Sequence, residues 1–134
     1  MVSSPRRGRS PLRLIRLAAT ALFLAALAAF SILPQSFKRR LATHGLVHDG
    51  IHIAAFLTAF WLAAGQSKNA KQAVLWALAL LCFGVSLEVL QTRVYGNTLE
   101  YRDILDDAVG IGIGAGLWLI TGSMRKRQVV RGRR

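Results

Sequence analysis

The sequence predicts an all-α fold: a four-helix transmembrane bundle with both termini cytoplasmic. Three observations lead there. The interior of the chain is a series of apolar segments of membrane-crossing length, the basic residues gather in the two tails, and the acids and histidines recur at one end of the segments. Hydrophobic residues make up 53% of the 134 residues and charged residues only 18%. A chain of this length holds one domain.

A bilayer core about 30 Å thick requires about 20 mostly apolar residues per helix. Leu17–Phe37 carries no charge and is rich in Ala and Leu, which makes it the first span. The second is expected at about 48–65, the third at about 73–91 and the fourth at about 105–122. The last three reach span length only by including His52, Glu88 and Asp107. The domain so defined covers residues 12–122, between a basic tail at 1–11 and another at 123–134. The first segment also has the layout of a secretion signal, with Ala29-Phe30-Ser31 as a cleavage context. Its apolar stretch exceeds the roughly 7–15 residues of such signals, so an uncleaved span is expected.

Net charge is +12, from 18 Lys and Arg against 6 Asp and Glu. On a folded face that excess would point to nucleic acid. Eleven of the eighteen instead lie at Arg6, Arg7, Arg9, Arg13 and Arg16 and at Arg125, Lys126, Arg127, Arg131, Arg133 and Arg134. With four spans, these tails share a side with Lys68 and Lys71, whereas the other side receives only Lys38, Arg39, Arg40, Arg93 and Arg102. The positive-inside rule then makes both termini cytoplasmic. The tails are expected to contact anionic lipids of the bilayer rather than nucleic acid. Cys82 has no cysteine partner and reads as a small buried hydrophobe.

This orientation puts the polar groups of the last three spans on the outer side. Asp103, Asp107, Gly110 and Gly114 share one helical face. Glycines four apart let a neighbouring helix approach closely, so Asp107 is expected to point into the bundle. Gly112 and Gly116 form a second pair on the opposite face, which predicts packing on both sides. Asp103 reads either as a helix cap or as part of a site. Glu88 lies near a helix C-terminus, where the dipole disfavours an anion, and must be protonated or paired. Its candidate partners are Gln91, Arg93, Arg102 and His52.

His44, His48 and His52 recur every four residues, and His48-Asp49-Gly50-Ile51-His52 has the outline of the zinc-protease HExxH. The acid is one methylene shorter than Glu, a glycine sits inside the motif, and an Asp or Glu would have to be the third ligand. Neutral imidazoles bonded to acids are the plainer expectation, so no metal or cofactor is expected. Gly110-x-Gly112-x-x-Ala115 fits a dinucleotide fingerprint only on paper, because no strand precedes it. Trp61, Trp76, Tyr95, Tyr101 and Trp118 fall near helix ends and read as interfacial anchors.

Over about residues 12–121 the chain resembles the VanZ-like family of small polytopic bacterial membrane proteins. The resemblance rests on His52-x-x-x-Phe56, on Glu88-x-x-Gln91, and on Asp103-x-x-x-Asp107-x-x-Gly110-x-x-x-Gly114. Four positions, in three motifs, depart from the family pattern. His48 and Asp49 replace an Asp-Lys pair, Asp107 replaces an Asn, and Asn97 replaces an arginine for which Arg102 is the available substitute. The resemblance implies a protein of the bacterial cell envelope. The family's namesake is associated with teicoplanin resistance, and the family has no agreed biochemical activity. The ligand-binding set expected here is Glu88, Gln91, Asp103, Asp107, His52, His48 and Arg102. Three readings of it stay open: binding of a lipid-linked or cell-wall component, catalysis on a lipid headgroup or surface polymer, and support of a membrane-protein partner.

Overall fold

The computed structural model describes residues 11–33, 46–96 and 98–131. These residues form four helices: α1 Pro11–Ser31, α2 Leu46–Ala64, α3 Ala70–Tyr95 and α4 Tyr101–Arg131. All four contain a segment long and apolar enough to cross a membrane. The shortest, α2 at 19 residues, extends about 28 Å at 1.5 Å per residue.

Local chemistry explains the boundaries. Pro11 opens α1, where its missing N–H is no loss. The sequence places the first span at 17–37, so the helix starts six residues earlier, and residues 34–37 lie outside the described residues. Between α2 and α3, Asn69 caps the new helix by accepting from Gln72 N–H at 3.0 Å. Gln72 Oε1 accepts in return from Lys68 N–H at 2.8 Å, a reciprocal cap that fixes the turn. Helix α3 continues four residues past the expected 91 and stops at Gly96. Gly96 takes the left-handed conformation (φ 67°), and its N–H donates to Thr92 O. Helix α4 starts at Tyr101 rather than 105 and runs into the basic segment as far as Arg131.

The chain runs up, down, up and down, so α2 and α4 are parallel. They are also the most extensively packed pair. Their contact depends on glycine. A Cβ on Gly110 would overlap the Ile53 carbonyl oxygen, and one on Gly114 would lie 2.9 Å from the Phe60 ring. The core they enclose is narrow and rich in small side chains: Ala59, Ala63, Ala64 and Ala73 around Phe56, Phe60, Leu80 and Ile111. Trp76 and Trp118 pack against this core, whereas Trp61 and Tyr101 are exposed.

Helix α1 is held at its two ends. Arg16 donates to Gly65 O at 2.9 Å, satisfying a carbonyl at the end of α2. Thr20, the one buried residue of α1, accepts from Gln66 Nε2 at 3.2 Å. At the other end the Tyr95 hydroxyl donates to Ile32 O. The rest of α1 shows Leu12, Ile15 and Leu22 to the surroundings. No more than 28% of any apolar segment is inside the bundle. In water such apolar surface would drive association; in a bilayer it meets lipid.

Two expectations fail on the outer surface. Gly112 and Gly116 have nothing within 4 Å among the described residues, so that face of α4 is open rather than packed. Four helices supply neighbours for one side of α4 only. Cys82 is exposed, not buried. The inward face of α3 runs through Ala73, Leu80, Gly84 and Glu88, and a residue two positions from Leu80 or Gly84 points the other way.

Two predictions follow from this packing. Gly110→Ala should lower unfolding stability in mixed micelles by about 1–3 kcal/mol through overpacking. Gly112→Ala should be neutral, or gain up to about 1 kcal/mol in helix propensity. Equal losses would contradict the assigned faces. In native membranes a water-soluble maleimide should leave Cys82 unlabelled, with labelling appearing only after unfolding in SDS; full labelling of intact membranes would place mid-α3 in water.

Candidate functional site

The polar residues of the last three helices meet at the end of the bundle that holds the N-termini of α2 and α4 and the C-terminus of α3. His48 and His52 lie one turn apart on α2, with ring centroids 4.7 Å apart and the rings edge-on at 63°. Asp103 and Asp107 lie one turn apart on α4. Because the two helices are parallel, the two repeats register. His48 Nε2 is 3.1 Å from Asp103 Oδ2, and His52 Nδ1 is 2.8 Å from Asp107 Oδ1. His52 Nε2 also comes within 3.6 Å of Asp103 Oδ2. The ligand atoms of His48, His52 and Asp103 all fall within 4.8 Å of one another.

Both aspartates are buried, Asp103 at 6% exposure and Asp107 at 4%. Asp103 stands inside the first turn of α4 with its side chain spent across the helix pair. Among the described residues its side-chain bond runs to α2 and not to a backbone N–H of its own helix. The positive ends of the α2 and α4 dipoles favour acids here.

Glu88 is equally buried, at 6%, and the partner of its carboxyl is a backbone group rather than Gln91, Arg93, Arg102 or His52. Its Oε1 accepts from the backbone N–H of Glu100 at 2.9 Å, its one hydrogen bond among the described residues. The carboxyl therefore holds the entry to α4 in place. Arg93 and Arg102 form no ion pair with it. Arg102 instead pairs with Asp49 at 2.6 Å, with its own side chain 73% exposed. That bond commits Asp49 to Arg102. His44 and Asn97 lie outside the described residues.

A cavity of about 80 Å³ opens beside the cluster. A water needs roughly 10–15 Å³ on this measure, so there is room for several waters or a small headgroup fragment. Its polar end is formed by His48, His52, Glu88, Gln91 and Asp107. Its apolar wall comes from Leu27, Phe30, Ile51, Ala55, Phe56 and Leu87, so α1 contributes as well.

Two contributors escape a reading of the sequence. Gly84 faces Asp107 so closely that a Cβ would collide with its Oδ2, and would lie 3.0 Å from the Phe56 ring. The i, i+4 spacing of Gly84 and Glu88 was the available signal. Asp106 holds a buried Oδ2 with no partner among the described residues. Chemically, Asp107 orients His52 as the carboxylate of a catalytic dyad orients its imidazole, a requirement for proton transfer. The three convergent groups His48, His52 and Asp103 are of types that hold a metal ion.

Gly84→Ala should displace the Asp107 carboxyl and break its bond to His52, costing about 1–3 kcal/mol. Glu88→Gln can still accept from Glu100 N–H and should stay within about 1 kcal/mol of wild type, whereas Glu88→Leu leaves that N–H unpaired and should lose about 1–3 kcal/mol. Denaturation in mixed micelles measures all three, and equal stability of Gln and Leu would remove the Glu100 bond from the account. Compared with protein-family models, curated proteins and solved structures, the chain matches none, so its functional reading rests on this geometry.

Proposed function

We propose that this chain is a bacterial envelope protein of the VanZ-like kind that binds the headgroup of a lipid-linked or cell-wall component. The observation that carries this reading is the two-sided cavity. Its apolar wall continues the lipid-facing surface, and its polar end offers two imidazoles, two carboxyls and an amide. An amphipathic molecule matches both halves, with an acyl or prenyl portion along Phe30, Ile51 and Leu87 and a hydroxyl- or amine-bearing headgroup at His52, Glu88 and Gln91. Arg102, paired with Asp49 and largely exposed, offers a cation to an anionic headgroup on the same side.

The excess of Lys and Arg at the α1 start, the α2–α3 turn and the C-terminal segment supports a cytoplasmic location for both termini. The cavity then opens toward the outer leaflet, where envelope precursors are handled. A second reading, catalysis on the same headgroup, is favoured by the dyad of His52 and Asp107 with Glu88 lining the same cavity. Those groups are sufficient for general acid–base chemistry.

Native mass spectrometry of the full chain in nanodiscs should find a retained amphipathic lipid. Ala55→Phe fills the apolar wall and should reduce retention at least about ten-fold, with Glu88→Gln also weakening it. Lipid composition of a deletion strain would name the component. Unchanged retention in both variants would remove the cavity as the binding site. For the topology, Lys68→Cys and Thr98→Cys, at exposed positions and each in a Cys82→Ala background, should be labelled by an impermeant maleimide from the inside and the outside, respectively.

A further inference from the structure

We propose that His48, His52 and Asp103 form a binding site for a divalent transition metal ion of the zinc class, with Asp107 as the positioning residue for His52. Two objections that arise from the sequence, the missing third ligand and the glycine inside the motif, are met by the geometry. The missing third ligand is Asp103, delivered by α4 to the two imidazoles that α2 presents one turn apart. The Gly50 inside the motif does not interrupt the helix, because α2 runs unbroken from Leu46 to Ala64.

The distances suit an ion. Zinc bonds to nitrogen and oxygen run about 2.0–2.2 Å, which sets neighbouring ligand atoms of a tetrahedron about 3.4 Å apart. His48 Nε2 to Asp103 Oδ2 is 3.1 Å, and His52 Nε2 to the same oxygen is 3.6 Å. The third edge, between the imidazoles, lies within 4.8 Å.

The placement of the second imidazole points the same way. Asp107 Oδ1 holds His52 Nδ1 at 2.8 Å, which leaves the other ring nitrogen, Nε2, facing Asp103 Oδ2 at 3.6 Å. A cation between those two atoms would be bound by both. A carboxylate holding the far nitrogen of a metal-bound imidazole is the usual outer support of such sites. Asp103, Asp107 and Glu88 are all buried acids within the same cluster, and an ion supplies positive charge that Arg102, tied to Asp49, does not. Three protein ligands leave a fourth position, and His48 and His52 both line the cavity into which it opens. The proposal does not depend on a lipid occupying that cavity.

The test uses the full chain, purified in mild detergent without a polyhistidine tag and stripped with a chelator. Zinc added back should be retained at about one ion per chain after desalting, and should raise the thermal midpoint. Cobalt in its place should give visible d–d absorption. His48→Gln, at the more exposed imidazole, and Asp103→Asn should each abolish both signals, and Asp107→Asn should weaken zinc about 10–100-fold. Asp49→Asn should bind as wild type does, since Asp49 is committed to Arg102. Apo samples of every variant must show the wild-type elution volume, which separates lost metal from lost fold. Wild-type retention below a tenth of an ion per chain, or undiminished binding by His48→Gln and Asp103→Asn together, would overturn the site.

Discussion

The parallel pairing of α2 with α4 is the constraint on which the rest depends. Parallel helices cannot be joined by a short turn, so α3 must cross back between them in the chain, and it brings Glu88 and Gly84 to the same end. Close approach of α2 and α4 requires Gly110 against the Ile53 carbonyl and Gly114 against Phe60. Once those contacts are made, a four-residue repeat on one helix lies beside a four-residue repeat on the other. His48 then meets Asp103 and His52 meets Asp107. A larger residue at Gly110 would push the helices apart and stretch both bonds at once.

This arrangement resolves a conflict between solvent and function. Three carboxyls buried at one end of an apolar bundle are costly unless paired. Two sit in the first two turns of α4, near positive dipole ends, and take imidazole partners. Glu88 sits at the unfavourable end of α3, and the backbone N–H of Glu100 compensates it. The one buried acid oxygen without a partner among the described residues, on Asp106, shows that satisfaction of the cluster is incomplete. A buried polar group without a partner is uncommon in native structures and calls for an explanation such as strain, a water or an ion.

Much of this was legible in the sequence because it is local. Apolar segments, their number and the gathering of acids and histidines at one end follow from hydropathy and helical period. The shared face of Asp103, Asp107, Gly110 and Gly114 is likewise a matter of 100° per residue. The likeness of His48–His52 to a zinc motif was legible too, though the identity of the third ligand was not, since Asp103 is fifty-five positions from His48.

What only the tertiary structure decided were choices between equivalent local options. Gly112 and Gly116 have the same spacing as Gly110 and Gly114, yet one pair packs and the other is open. Cys82 is as apolar in context as Leu80, yet it faces outward. Asp103 could have capped α4 and instead bonds to α2, and Glu88 took a backbone donor, which has no residue type to announce it. The sequence by itself determined that four apolar helices would carry their polar groups to one end, because hydropathy and helical period act within a single segment. Which groups meet there depends on how the segments are packed, because a side chain's partner is set by the helix across from it.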